Sequence, residues 1–456
     1  MSPYLGFLFL LLSTATLFDG FDAAMLAFAA PDVRRSLGIA VEDWGSIVSI
    51  TRLGVLASFL FLFFADRIGR RWMMMGTIVG FTLANFATAF VTSTAQFVTA
   101  QFFARLFLSA ELSLAIIMVG EEFPARLRGR AIAVLTSLAT AGVMLMSLTQ
   151  PYVLLPDGAE SNAIHALGSA LVSGTQSALG LASDGAAWRS LYALGVLPLG
   201  FVLFLRVGMR ETRRFEATRL ARAPHRGWRE LARDVMVPWQ PQYRRRSAIV
   251  ALLWNCVYVV TGASTTYWVI YARESLGLSA STVGWIVFFG YGGGVAGNFV
   301  GGWLIDRIGR KHTCAFAYML AAISIYMLYH VSALPAHYTW MIFTVFSFAA
   351  GNASTHVYAS ELFPTEIRAT GYAWTSNLAG RVTEVGIPAL IGGLIPVLGI
   401  PGAIGVVSVG PILGAILVLR YAPETRGLTL EQIDRELTQS ADSSVLPAKT
   451  ESHATV

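Results

Sequence analysis

Seven ionisable residues sit inside stretches that are otherwise apolar enough to cross a bilayer: Asp19, Asp22, Arg52, Arg105, Glu111, Arg381 and Glu384. A charge at mid-bilayer costs at least about 2.5–3.5 kcal/mol on insertion scales, so such residues face a protein interior or an aqueous cavity and have work to do there. Asp19 and Asp22 are three apart and share one helical face. Two carboxylates facing a poorly solvated cavity repel each other, and the repulsion is relieved when one takes up a proton. Such a pair can couple proton movement to the binding of something else, unless arginine partners hold both ionised. Glu111 is a third proton candidate, with the alternative task of a fixed partner for Arg105 or Arg52. Arg381 can grip a carboxylate with two parallel hydrogen bonds and does not lose its charge. Glu384, three residues on, either neutralises Arg381 or is displaced by an incoming carboxylate and then takes up a proton. Arg52 and Arg105 are options for the same anion-binding task. Trp254 and Tyr258 lie deep enough in their segment to stack on a flat ring, with Asn298 in the next segment, whereas Tyr267 and Trp268 read as interface-belt residues. His356 reads as a packed core histidine.

The elements that must position these groups are membrane helices. Hydrophobic residues make up 55% of 456 positions and charged residues 13%, against about 25% charged in a typical soluble domain; the mean hydropathy is +0.60. Twelve segments approach the ~20 apolar residues a helix needs to span: 5–30, 44–65, 73–93, 97–119, 129–150, 187–207, 247–270, 282–304, 312–331, 338–358, 370–397 and 400–420. With the N-terminus in the cytoplasm, 26 of the 33 Lys and Arg residues fall on the inner side, and only Arg34, Arg35, Arg189 and Arg273 outside. That asymmetry predicts two cytoplasmic termini and accounts for the net charge of +6 without nucleic acid. The domains expected are a bundle over 1–207 with an extracytoplasmic loop at 151–186, a cytoplasmic linker over 208–246, a bundle over 247–420 and a tail over 421–456. The Gly-, Ala- and Ser-rich loop reads as a flexible insertion. Leu428, Leu430, Ile433 and Leu437 against Glu431, Asp434 and Arg435 predict a short amphipathic helix in the tail.

The two bundles are copies of one plan. Ala65-Asp66-Arg67-Ile68-Gly69-Arg70-Arg71 returns 240 residues later as Ile305-Asp306-Arg307-Ile308-Gly309-Arg310-Lys311. At the same step, Glu121-Glu122-Phe123-Pro124 with Arg128 returns as Glu361-Leu362-Phe363-Pro364 with Arg368. Two matches at one offset mark a tandem repeat. The seven intramembrane charges do not follow it. Their positions one step away hold Val259, Gly262, Gly292, Val345, Gly351, Ala141 and Met144. The scaffold is symmetric and the ionisable groups are not.

Some chemistry is excluded. Cys256 and Cys314, both in apolar segments, offer neither a disulfide framework nor a metal site. Gly290-Tyr291-Gly292-Gly293-Gly294 lies mid-segment without a following Lys, which fits close helix packing rather than nucleotide binding. No nucleophile constellation is visible. An enzyme, a resident cofactor and an ATP-driven pump are all unexpected, and the energy source implied is a proton gradient.

Over nearly its whole length the chain resembles the major facilitator superfamily. Asp66–Arg71 and its repeat match that superfamily's signature loop between the second and third helices of each half. Pro423-Glu424-Thr425-Arg426-Gly427-Leu428-Thr429 and Glu361–Thr365 resemble the sugar-porter branch, and Asp19-Gly20-Phe21-Asp22 is similar to the aromatic acid:proton symporters. Glu111, ten residues before Glu121, resembles a motif of metabolite and organic-acid symporters, and the mixture looks most like a nicotinate-permease-like group. The resemblance implies an all-α fold of twelve spans in two six-helix halves that rock about a midplane site. It also implies a gate made by Asp66, Arg67, Gly69, Arg70, Asp306, Arg307 and Arg310 with Glu121, Glu122, Arg128, Glu361 and Arg368; otherwise these residues only anchor helix ends. The expectation is a monomeric symporter that brings a small organic acid, an aromatic carboxylate, into the cell with a proton. Sugar:proton symport, proton-driven efflux and a transporter-like sensor are the rivals. The Ala, Gly and Arg richness points to a bacterial inner membrane.

Overall fold

The computed structural model describes residues 3–155, 160–181, 185–206, 236–261, 266–364 and 367–428, together with 208, 211, 432 and 433. Among the described residues every regular element is helical. The first half contains α1 (Pro3–Leu37), α2 (Val41–Ile68), α3 (Arg70–Thr88), α4 (Thr94–Glu122), α5 (Ala125–Val153), α6 (Ala163–Leu179), α7 (Ala187–Leu194) and α8 (Val196–Arg206). The second contains α9 (Arg244–Thr261), α10 (Ala280–Ile308), α11 (Arg310–His330), α12 (Leu334–Glu361), α13 (Arg368–Ala373), α14 (Val382–Val407) and α15 (Val409–Tyr421).

The repeat is visible in the packing. α2 against α4 and α3 against α4 in the first half recur as α10 against α12 and α11 against α12 in the second. Gly69 and Gly309, one step apart, both break the chain between helices with positive φ, 108° and 91°, a conformation in which a side chain other than glycine's is strained. In the first half α1 and α5 touch backbone to backbone, because a Cβ on Gly20 or Gly142 would collide with Ala139 or Leu17. The glycine stretch of α10 lies against α12, with Gly290 on Met341 and Gly297 on Phe346, the close packing its sequence implied. The halves join through α2 with α14 and α5 with α10.

Six helical runs are long and apolar enough to cross a membrane among the described residues: Tyr4–Leu37, Thr94–Val119, Val134–Val153, Ala280–Ile308, Arg310–His330 and Thr370–Tyr421. The last holds two of the expected segments, parted at Gly399 with φ 66°. Several other expected spans are interrupted. Residues 187–206 divide between α7 and α8 at Gly195, and the run after α9 ends in a wide-turn segment, Tyr271–Ser275.

The region 151–186 departs from the flexible insertion expected of it. α5 continues to Val153, and α6 is a capped helix: Asn162 Oδ1 accepts from the N–H groups of Ile164 and His165, and Gly180 closes it in the left-handed conformation. Residues 212–235 of the linker and 434–456 of the tail, with Leu430, Glu431, Asp434 and Arg435, lie outside the described residues.

Candidate functional site

In the first half, the buried acids have separate fates. Asp22 accepts a hydrogen bond from Asn85 Nδ2 at 3.0 Å. Asp19 is equally buried, and neither of its oxygens accepts a hydrogen bond among the described residues. Glu111 is locked. It forms an ion pair with Arg206 and accepts from Thr77 Oγ1 at 2.6 Å, while Arg206 Nη1 also donates to the Met74 carbonyl at 2.8 Å. The expected partners of Glu111, Arg105 and Arg52, are engaged elsewhere, so that pairing is corrected. Arg206 ends an apolar run and counts in sequence among the basic residues of the cytoplasmic side, yet it is fully buried. Arg189, placed outside by the count of basic residues, is buried as well and donates to the carbonyls of Ala89 (2.9 Å) and Val91 (2.7 Å), tying down the turn after α3.

Between the halves lies a cavity of about 190 Å3, lined by α1 from Ala23 to Phe28 and by Arg52, Arg105, Trp268, Tyr291 and Glu384 among others. An apolar cavity of ~150 Å3 holds benzene, so this space suits a molecule of one ring. Two guanidiniums against one carboxylate leave it a net positive charge. Arg105 Nη2 donates to the Ala23 carbonyl at 3.1 Å. Arg52 bridges the halves, donating from Nη1 to the Glu384 carbonyl at 2.9 Å and from Nη2 to Thr266 Oγ1 at 3.1 Å. Trp268 and Tyr267 are fully buried rather than placed in an interface belt. Trp268 walls the cavity, and Tyr267 donates from its hydroxyl to the Pro388 carbonyl at 3.0 Å.

Behind Glu384 lies a second cluster, built by the second half. Glu384 pairs with Arg381 at 3.0 Å, the neutralising contact that their spacing allows. Arg381 also lies over the Tyr258 ring, 5.1 Å from its centroid. Tyr258 stacks on Trp254 at 5.7 Å, and Trp254 meets the His356 ring edge-on at 4.7 Å. His356 is exposed rather than packed in the core. The backbone around Arg381 is broken, passing from a wide turn (Trp374–Leu378) through a tight one (Ala379–Arg381) into α14. Asn255 of α9 satisfies the groups this break orphans: Nδ2 donates to the Ala379 carbonyl at 2.8 Å, and Oδ1 accepts from the Thr383 N–H at 2.9 Å. Neither Asn255 nor the break is marked by hydropathy, since both lie in apolar runs. Asn298, half-buried on α10, does not line the cavity.

The repeated motif ends lie at one end of the molecule. Arg310 donates to Glu361 at 2.7 and 3.2 Å. Thr425 Oγ1 donates to the same carboxylate at 2.6 Å, while Glu424 accepts from the N–H groups of Arg310 and Lys311 at 3.0 and 3.1 Å. In the first half Glu211 does the same for the N–H groups of Arg70 and Arg71. These carboxylates sit where helix N-termini offer unsatisfied donors. Glu211 and Glu424 were not among the expected partners. Asp306 and Arg307 are exposed, with Arg307 over the Trp303 ring, and Glu122 is half-buried. The side chains of Asp66, Arg67, Glu121, Arg128 and Arg368 lie outside the described residues. Ion pairs between the halves occur at the opposite end, where Arg34 meets Glu274 and Arg273 meets Asp32, each at 2.7 Å.

Comparison with known proteins follows the same outline. Residues 12–271 and 256–450 match the profile described as Major Facilitator Superfamily. A gallate transporter of Pseudomonas putida is 24% identical over 428 residues, covering 88% of this chain and 87% of its own. A niacin transporter of Acinetobacter baylyi is 24% identical over 442 residues, covering 91% and 93%. The crystal structure of a D-xylose–proton symporter superposes with a TM-score of 0.72 at 16% identity, covering 93% of this chain and all of that one.

Proposed function

The chain belongs to the major facilitator superfamily, an integral-membrane transporter rather than an enzyme, and on that premise we propose that it imports a small aromatic carboxylate together with a proton. The observation that carries this reading is the one-ring cavity, in which Arg52 and Arg105 outweigh Glu384 while Arg381 waits behind the same carboxylate. A neutral sugar would bring no counter-charge to Arg52 and Arg105, whose hydrogen bonds go to neutral carbonyl and hydroxyl oxygens. The relatives named for gallate and niacin, both ring acids, point the same way.

In this reading twelve crossings place both termini in the cytoplasm of a bacterial cell, and the protein works as a monomer. The Arg34–Glu274 and Arg273–Asp32 pairs then close the extracytoplasmic end. The repeated motif ends, with Arg310–Glu361 among them, form the cytoplasmic gate. Substrate enters when the outer pairs part. Its carboxylate draws Arg381 from Glu384, and protonation of Asp19, whose oxygens have no fixed donor, permits closure with cargo aboard. Release inside follows loss of that proton. Alternating access of this kind is rigid rocking of one half on the other.

The test is uptake of radiolabelled benzoate, nicotinate and xylose into proteoliposomes, with and without an inward proton gradient, subtracting empty liposomes because protonated acids cross bilayers unaided. Gradient-driven acid uptake should fall about 100-fold in Arg381→Ala, the scale of losing a charge-assisted bidentate contact. Uptake of xylose alone would sink the acid reading and promote sugar symport.

A further inference from the structure

We propose that His356 sets the carrier's specificity: its Nε2–H donates to a polar atom on the ring of the transported acid, a ring nitrogen or hydroxyl, while Arg381 holds the carboxylate. This rests on the aromatic-acid reading above. His356 lies in α12 among fully buried neighbours, Ser354, Thr355 and Tyr358, but is itself exposed. Trp254 of α9 and Tyr372 of α13 flank its ring at 4.7 and 6.0 Å, so the imidazole stands between side chains of two neighbouring helices.

The hydrogen bonding fixes which nitrogen is available. Tyr372 Oη meets His356 Nδ1 at 2.5 Å. The phenol is the stronger acid of the two, and with Tyr372 donating, the neutral imidazole accepts at Nδ1 and carries its hydrogen on Nε2. No protein group among the described residues takes that hydrogen. A metal role is not supported, since the described residues hold no group of three His, Cys, Asp or Glu that could bind one.

The wall beside His356 continues to the anion-binding end. Trp254 stacks on Tyr258, and Tyr258 lies under the Arg381 guanidinium, whose Nε is buried without a hydrogen-bond partner. Two aromatic faces therefore separate a charge that suits a carboxylate from a neutral donor that suits a ring acceptor. The proposal requires a flat ring carrying both features to reach both groups, and a site built to hydrogen-bond a substrate group discriminates strongly against the analogue lacking it. Benzoate offers only the carboxylate, whereas nicotinate and 4-hydroxybenzoate offer both.

The experiment measures the affinity of the full-length protein in detergent for benzoate, nicotinate and 4-hydroxybenzoate, in wild type, His356→Leu, His356→Gln and Tyr372→Phe. His356→Leu should weaken nicotinate and 4-hydroxybenzoate about tenfold, the worth of one hydrogen bond, and leave benzoate within about twofold. His356→Gln, whose amide can still donate, should recover most of the loss. Tyr372→Phe should lower the selectivity while sparing benzoate, because it frees the tautomer, and it supplies the same information if the leucine variant does not fold. An equal loss for all three acids, or no loss for the two ring-polar ones, overturns the role of His356. A wild type that binds the acids through Arg381 without preferring the ring-polar ones overturns it alone, whereas one that binds none of them overturns the acid reading too.

Discussion

The two halves share a scaffold and treat charge in opposite ways. In the first, Glu111 and Arg206 are sealed, with side chains 1% and 0% exposed, and they are fastened further by Thr77 and the Met74 carbonyl. In the second, Arg381 and Glu384 keep 21% and 17% exposure, stand at a broken stretch of helix and face stacked rings. A sealed ion pair fixes structure, because separating its members leaves an unpaired charge in a medium that cannot solvate it. An accessible pair at a backbone break can exchange partners. The contrast sets a pair that holds shape, Glu111 with Arg206, against a pair free to meet cargo in the proposed cycle, Arg381 with Glu384.

Three experiments test that contrast. The largest effect is expected in the sealed pair. Arg206→Ala should destabilise the protein by about 3–5 kcal/mol, read as a large fall in unfolding temperature in detergent, and Glu111→Gln combined with Arg206→Met should restore most of it. If Arg206→Ala leaves stability unchanged but abolishes uptake, the first half is not merely structural at this pair. Next comes Asp19→Asn. With a proton coupled one-to-one, each pH unit of gradient is worth about a tenfold accumulation ratio, and this variant should lose that factor while still exchanging labelled for unlabelled acid. Accumulation that survives in Asp19→Asn and vanishes in Asp22→Asn would move the proton to the acid held by Asn85. The smallest effect belongs to the outer end. Arg34→Glu should weaken closure by about 0.2–1 kcal/mol, the range for partly exposed pairs, seen as a few-fold gain in labelling of a cysteine placed in the cavity from outside. The double swap with Glu274→Arg should return it to the wild-type level.

How far the sequence foretold these features depended on the kind of signal each residue leaves. The repeat, the helical class and the intramembrane charges were plain, because charged residues in apolar runs stand out and a step of 240 can be counted. The pairing of the charges was not. Glu111 and Arg206 are 95 positions apart, and a basic residue at the end of an apolar run looks like an interface anchor until the fold brings it inward. Trp268 and Tyr267 failed for a similar reason, since aromatic residues near a segment end are usually belt residues. α6 left its signal at its ends rather than in its composition: Asn162 before and Gly180 after the run are capping residues. Asn255 left no sequence signal, because its role exists only once the break at Ala379 lies beside it.

The Arg34–Glu274 contact joins two positions that are 240 apart, one repeat unit to the residue. Positions related in this way can touch only on the internal twofold axis. Were the two halves separate, identical polypeptides forming a dimer, that axis would set each residue against its own copy: arginine against arginine, or glutamate against glutamate. Neither arrangement attracts. Joining the halves in one chain let the two copies diverge at this point, so that a site of unavoidable like-charge repulsion became one of opposite charges. The fused polypeptide thus gains a clasp that no homodimer of either half could form.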